Sequence, residues 1–251
     1  MSHHLVSLAD VHFRYPDGTP ALRGASFTLH HGESVGLVGA NGAGKSTVLL
    51  LLAGVIFAER GSVRVGDWPV TPATLAHVRR ALGMVFQDPD DQLFLPTVED
   101  DVAFGPANLG LPPEEVRERA EAALTRVGAL HLRRRPPHRL SGGEKRAVAI
   151  ATVLAMRPDI LVMDEPSSHL DPAGRRALID QLRAFEHTKI VASHDLDLVQ
   201  DVCRRTIVLD GGTVAADGPT GEVLAGRDLL SRARLEPPLR VQACPRCGSG
   251  G

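Results

Sequence analysis

The sequence predicts an α/β fold with a parallel sheet core, a smaller antiparallel β portion ahead of it and a helical lobe inserted into it. Three observations carry this expectation. Short apolar runs alternate with amphipathic stretches, and Val35 to Val38, Leu82 to Phe86, Ile160 to Met163, Ile190 to Ala192 and Ile207 to Leu209 read as buried strands with helical patterns between several of them. That is the pattern of a parallel sheet covered by helices. Before it, Val6 to Tyr15 and Ala25 to Leu29 read as alternating strands of an antiparallel portion. Between Thr97 and Arg139 the signal turns helical: Pro112 and Pro113 lead into EEVRERAEAALTRVGA, where Val116, Ala120, Leu124 and Val127 line one face.

The bulk numbers bound the function. At 251 residues and 43% hydrophobic content, the chain can fill the core of one large domain or of one domain carrying a smaller lobe. The 28 Lys and Arg nearly balance the 30 Asp and Glu, so the basic footprint of a nucleic-acid binder is missing and no nucleic-acid partner is expected. The longest apolar runs, Val48 to Ala58 and Val148 to Met156, fall short of the roughly 20 residues a membrane-spanning helix needs. MSHHLVSLAD lacks the layout of a secretory signal, and three cysteines fit a reducing compartment, so the chain is expected to be intracellular. No internal repeat is visible, and a second such domain would have to come from another chain.

After the strand SVGLV comes GANGAGKST, followed by the apolar VLLLLAG. In a strand-to-helix context this fits G-x-x-x-x-G-K-[ST], the phosphate loop of P-loop NTPases. Gly39, Ala40, Asn41, Gly42, Ala43 and Gly44 would turn successive N–H groups toward phosphate oxygens, and the helix N-terminus adds a favourable dipole. Lys45 would reach the β- and γ-phosphates, Ser46 would ligate Mg²⁺, and Thr47 completes the motif. The competing reading is a glycine-rich turn that merely joins strand to helix. In DILVMDEP, Asp164 and Glu165 stand at the C-terminal end of a buried strand, where open α/β sheets bind ligands. Neighbouring strand residues point in opposite directions, so the pair is read as two roles. Asp164 suits the Mg²⁺ shell, and Glu165 a position from which to orient or deprotonate the attacking water. A solvated turn acid before Pro166 is the bland alternative for Glu165. No N-K-x-D element for guanine occurs, which favours adenine, hence ATP with Mg²⁺.

LSGGEKRAVAIATVLAMRPDILVMDEPSSHLDP, Leu140 to Pro172, resembles the signature and Walker B region of ABC transporter ATPases. The resemblance covers Val6 to Val241 and implies the ABC ATPase cassette fold, with ATP hydrolysis between two cassettes. Ser141 to Glu144 is also a capping box, S-x-x-E, with Glu144 where the family more often has glutamine. Capping alone does not explain Gly142 and Gly143, which weaken a helix but permit close approach. The family places Ser141, Gly142 and Gly143 on the γ-phosphate held by the partner cassette. The resemblance also implies an adenine-stacking role for Tyr15 in FRYPDG, and a Q-loop role for Gln87, sensing Mg²⁺ and the attacking water. Ser168 to Asp171 matches the D-loop, with His169 where a small residue is more usual, and His194 matches the histidine that contacts the γ-phosphate.

VFQDPDDQLFLPTVEDDVAFGPANLGLP is similar to the matching segment of energy-coupling-factor and cobalt or nickel uptake ATPases. This resemblance implies a peripheral subunit on the cytoplasmic face of the cell membrane, bound to integral transport subunits and to a second ABC ATPase subunit, identical or not. The implied cargo is cobalt or nickel ions or a vitamin. A soluble ABC ATPase acting on ribosomes or nucleic acid, and an exporter ATPase, are the alternatives. Asp90 and Asp91 are expected on the partner-facing surface, because the other named residues already supply the groups that phosphoryl transfer needs. The expected domains are an ABC ATPase domain over 5–225, with a helical subdomain over about 97–157, and a C-terminal extension over 226–251 ending in a flexible CxxC tail. One C-x-x-C, Cys244 and Cys247, lacks two of the four ligands zinc takes, though two tails meeting in a dimer could supply them.

Overall fold

In the computed structural model, which describes residues 4–168 and 170–242, the chain opens with two long antiparallel strands, β1 (His4–Arg14) and β2 (Pro20–His30). β3 (Ser34–Val38) then runs into α1 (Lys45–Leu52). β4 (Arg60–Val65) and β5 (Trp68–Pro69) return to the antiparallel layer, and α2 (Leu75–Ala81) leads into β6 (Leu82–Val85). Three helices follow before the next strand: α3 (Val98–Asn108), α4 (Pro113–Arg126) and α5 (Gly142–Leu154). The remainder alternates as β7 (Ile160–Asp164), α6 (Pro172–Arg183), β8 (Thr188–Ala192), α7 (Leu196–Val202), β9 (Arg205–Asp210) and β10 (Thr213–Pro219), closing with α8 (Thr220–Ala225) and α9 (Arg227–Arg232).

Two sheets result. One is antiparallel, in the order β2-β1-β4-β5; the other runs β10-β9-β3-β8-β7-β6. In the second, β9, β3, β8, β7 and β6 are mutually parallel, and β10 pairs antiparallel with β9. The central strands are buried on both faces, as their unbroken apolar runs require. Alternation sorts their side chains between two cores. Val35, Leu37, Ile160, Val162, Ile190, Ala192, Ile207 and Leu209 pack with α1 and the antiparallel sheet. Val38, Leu161, Met163, Val191 and Val208 pack on the opposite face, with α3 to α7.

Helix starts follow from local chemistry. Thr97, Ser141, Asp171 and Asp195 cap α3, α5, α6 and α7, each accepting a hydrogen bond from a backbone N–H of the first turn. Pro172 occupies the first position of α6, where its missing N–H does no harm. In α4, Ala120, Ala123 and Leu124 are buried and Val116 half-buried, the apolar face expected from the sequence. The segment after α8 packs on the second core through Leu230, Ala233 and Leu235.

The differences from the sequence reading have local reasons. β6 stops at Val85, because Phe86 already belongs to the turn that follows. β4, β5 and β10 carry no strong strand signal. The first three residues of β4 are exposed, β5 is two residues long, and β10 has an exposed residue at every second position and none fully buried. The C-x-x-C at Cys244 and Cys247, and His169, lie outside the described residues.

Candidate active site

The turn from β3 into α1 is shaped by close approach. Gly44, at φ 106°, caps α1 in the left-handed region, and an added Cβ would stand 2.9 Å from the Ala21 carbonyl oxygen. At Gly39 an added Cβ would stand 2.4 Å from the Leu209 carbonyl oxygen, so only glycine lets the loop lie against β9. Lys45 is 6% exposed, and its Nζ donates to the carbonyls of Gly39 (2.8 Å) and Ala40 (3.3 Å). Thr47 Oγ1 lies 3.0 Å from the Tyr15 hydroxyl, tying the helix to the antiparallel sheet, and Tyr15 meets Phe13 edge to face at 5.1 Å.

This loop forms one wall of a cavity of about 380 Å³ at the C-terminal ends of the parallel strands. Tyr15, Asn41, Gly42, Gly44, Lys45, Ser46, Thr47, Gln87, Glu165 and His194 line it. Residues separated by up to 179 positions in the chain thus meet at one surface. Gly39, Ala40 and Ala43 belong to the turn without lining the cavity.

Glu165 follows β7 with φ 43°, a strained conformation for a residue with a side chain, of the kind that clusters at functional sites. Its N–H donates to the Ala192 carbonyl at 2.8 Å. The carboxylate is 6% exposed and heavily held: it accepts from the Ser193 hydroxyl (3.1 Å) and the His194 N–H (3.1 Å) and lies 2.8 Å from His194 Nδ1 and 3.7 Å from Lys45 Nζ. The bland alternative of a solvated turn acid is therefore excluded. Ser193, wholly buried, went unnoticed in the sequence; its signal is its place between the buried β8 and His194.

Asp164 is buried beside it. Desolvation pushes its pKa up, and Glu165 adds to this, while the Ser46 side-chain hydrogen bond, Lys45 and Arg146 pull it down. Its Oδ1 is buried with no hydrogen-bond partner among the described residues. A sealed carboxylate oxygen next to a hydroxyl fits a hard, oxygen-seeking cation, so Asp164 and Ser46 are suited to hold Mg²⁺ with the phosphates of a nucleotide.

Gln87 reaches the cavity from the segment after β6, and that segment is bolted to α5. Arg146, 3% exposed, donates to the carbonyls of Phe86 (2.7 Å) and Gln87. Burial pushes its pKa down, and Asp88 and Asp164 oppose the shift. Gln92 Oε1 accepts from the Phe86 N–H at 3.1 Å, and its Nε2 donates to the Ala149 carbonyl (2.9 Å) and Thr152 Oγ1 (2.7 Å). Sequence patterns drew attention to neither residue. Three aspartates, Asp88, Asp90 and Asp91, lie between Gln87 and Gln92. Asp88 accepts from the Asp90 N–H at 2.9 Å, and the Asp90 carboxylate pairs with Lys145 Nζ at 2.6 and 2.8 Å, so Asp90 has a partner within its own chain. Asp91 is exposed. Farther along, Phe94 (63% exposed) and Phe104 (45%) meet edge to face at 5.3 Å, and the buried Asp101 holds that turn by accepting from the N–H groups of Phe94 and Leu95, both at 3.0 Å.

Ser141, Gly142 and Gly143 do not line this cavity; they form the N-terminus of α5. The capping box is complete. The Ser141 N–H donates to Glu144 Oε2 at 2.7 Å, the bond that chiefly lowers the Glu144 pKa, and the Glu144 N–H donates to the Ser141 hydroxyl at 3.3 Å. An added Cβ at Gly143 would meet nothing within 4 Å, so packing inside this chain does not demand glycine there.

Residues 22–168 match the ABC transporter family model. A putative ABC transporter ATP-binding protein of Geobacter sulfurreducens is 63% identical over 248 residues, covering 99% of this chain and all of that protein. The energy-coupling factor transporter ATP-binding protein EcfA of Methanocaldococcus jannaschii is 43% identical, over 94% of this chain and 86% of its own length. Among solved structures, cbiO1 of Clostridium perfringens, part of the ABC transporter complex cbiONQ, superposes with a TM-score of 0.79 at 36% identity, covering 93% of this chain and 95% of the other. An ATP-binding cassette solved as a dimer in a post-hydrolysis state with ADP and Pi gives a TM-score of 0.79 at 27% identity, covering 86% and 98%.

Proposed function

This chain belongs to the ABC transporter ATP-binding family and is an ATP hydrolase, and on that premise we propose that it powers uptake through an energy-coupling-factor type of membrane complex, with cobalt or nickel ions or a vitamin as cargo. The observation that carries the chemistry is the meeting of Lys45, Gln87, Glu165 and His194 around one cavity at the strand ends. The likeness to EcfA and to cbiO1 supports the choice of import.

In this reading the N–H groups of Gly39 to Thr47 and Lys45 hold the ATP phosphates, and Tyr15 stacks on the adenine. Ser46, Asp164 and Gln87 hold Mg²⁺, which when bound neutralises charge on the β- and γ-phosphate oxygens. Glu165 takes the proton of the attacking water, with Ser193 and the His194 N–H fixing its carboxylate, and His194 contacts the γ-phosphate. Ser141, Gly142 and Gly143 act on the nucleotide of a second cassette; the open space over Gly143 supports such an approach. Residues 5–225 are the ABC ATPase domain, with the helical subdomain over about 97–157, and 226–251 are the C-terminal extension.

Among the described residues no helix is long and apolar enough to cross a membrane, so passage of cargo requires an integral partner subunit. The exposed pair of Phe94, on the turn after β6, and Phe104, on α3, is the apolar surface offered to that partner, which holds the cassette at the cytoplasmic face of the membrane. Uptake by cells whose chain carries Glu165→Gln tests the reading. Loss of accumulation of labelled cobalt, nickel or a vitamin is expected; undiminished uptake of all three classes would overturn it.

A further inference from the structure

The Glu165 carboxylate is held by the turn that follows β8, and the groups that hold this turn lie outside the nucleotide cavity. Asp164 and Ala192, the last residues of β7 and β8, sit side by side in the sheet, so the turns beyond them leave its end as neighbours. From the β8 turn, Ser193 donates its hydroxyl to Glu165 at 3.1 Å and His194 its N–H at 3.1 Å. The Asp195 N–H in turn donates to the Ser193 oxygen at 3.0 Å. An N–H on that oxygen directs the Ser193 proton away from Asp195 and toward Glu165.

The Asp195 side chain does more than cap α7. Capping takes one acceptor, and Asp195 Oδ1 supplies it to the Leu198 N–H at 2.9 Å. The same carboxylate takes the Arg175 guanidinium on both oxygens, Nη2 to Oδ1 at 3.2 Å and Nε to Oδ2 at 3.1 Å, a two-point bond that fixes direction as well as distance. Oδ2 also accepts from the Ser167 hydroxyl at 3.3 Å. Ser167 belongs to the turn that follows β7, where the Ser168 N–H donates to the Glu165 carbonyl at 3.1 Å, and Arg175 to the first turn of α6. Asp195 therefore ties the β7 turn, α6 and α7 to one another. Desolvation alone would raise its pKa, but Arg175, the Leu198 N–H and Ser167 hold it below the usual carboxylate range, so the pair is charged at neutral pH.

Glu165 needs such a frame, because a backbone at φ 43° persists only where its surroundings over-determine it. An ion pair this open to solvent adds little to stability on its own, so its bonds matter more for where they put the two turns. Neither Asp195 nor Arg175 lines the nucleotide cavity. We infer that Asp195 and Arg175 are positioning residues for ATP hydrolysis: the pair locks the turn after β7 to the turn after β8, and so keeps the Glu165 carboxylate and His194 where the attacking water is met. The inference rests on Glu165 acting as the base.

The test is steady-state hydrolysis and equilibrium ATP binding by the whole chain, with Glu165→Gln in the same assay. Asp195→Ser keeps a good helix cap but is too short to reach Arg175, and Arg175→Met leaves the cap in place. Each should lower kcat at least about tenfold, as small misplacements of a reacting group do, with ATP affinity within about twofold of the parent because the phosphate loop is untouched. The double variant should lose no more than either single one, since both remove the same bond. Arg183→Met is the control: Arg183 also ties α6 to α7, through Asp201 at 3.2 Å, but bonds to neither turn, and kcat should stay at the parent value. An equal loss in Arg183→Met would overturn the inference and leave the pair as packing between helices. So would ATP affinity falling as far as kcat. A slow Glu165→Gln beside parent kcat in Asp195→Ser and Arg175→Met would overturn the inference alone, and should Asp195→Ser not fold, Arg175→Met decides. Parent turnover in Glu165→Gln would remove the base itself, and the inference with it.

Discussion

The Glu165 carboxylate and His194 Nδ1 lie 2.8 Å apart at the ends of adjacent parallel strands, with the Glu165 backbone at φ 43°. Two side chains 29 positions apart are thereby fixed relative to each other before any nucleotide contact is considered. Glu165→Gln keeps the shape and can hold a water but cannot take its proton. It should bind MgATP with little change and hydrolyse it at least about a hundredfold more slowly. Turnover and nucleotide affinity measured side by side check this; turnover at the parent rate would remove Glu165 from the role of base.

Ser141 to Gly143 stand off the cavity that Lys45 lines, so the two are predicted to serve different nucleotides. Lys45→Ala and Gly142→Asp should each abolish hydrolysis alone. Mixed, they can form a heterodimer with one intact composite site, and ATPase activity should reappear on mixing. A Gly142→Asp chain active as a monomer would contradict a site shared between two cassettes.

Arg146 joins α5 to the carbonyls of Phe86 and Gln87. Arg146→Met leaves both without that donor, at about 1–3 kcal/mol. The thermal midpoint should fall, and hydrolysis should fall more than ATP affinity because Gln87 loses its anchor. Arg146→Lys should recover part of both. An unchanged midpoint and unchanged turnover in Arg146→Met would show that the clamp does nothing.

Burial pushes the Cys203 thiol up to about 12 from an ordinary 9.0, against the opposing influence of the Ser34 bond and Lys189. The folded chain therefore keeps a proton that the unfolded chain releases near pH 9. This contribution is complete below pH 9 and is lost as pH rises toward 12, by up to about 1.4 kcal/mol per pH unit. Denaturant unfolding of parent and Cys203→Ala between pH 8 and 11 should show the parent losing stability faster. Parallel curves would contradict the shift.

Much of the fold was legible because the central strands are buried on both faces and read as unbroken apolar runs, and because Pro113 marks the start of α4. β4 and β10 escaped since half-exposed strands carry little hydrophobic signal. At the site, Lys45, Gln87, Glu165 and His194 could be picked out by motif. Arg146, Gln92 and Ser193 could not, since each bonds to partners 28 to 60 residues away that only folding brings near. Asp90 shows the converse: an exposed acid in a polar loop gives no hint of Lys145, 55 residues on.

The central claim, an ATPase subunit working on a membrane importer, is tested most directly by the composition of what this chain binds in membranes. Complexes captured through the chain and extracted in detergent should contain two cassettes, identical or not, with at least one integral membrane subunit, and Glu165→Gln should leave that composition intact while hydrolysis is lost. Recovery of the chain with ribosomes, or alone, from the same membranes would contradict the account.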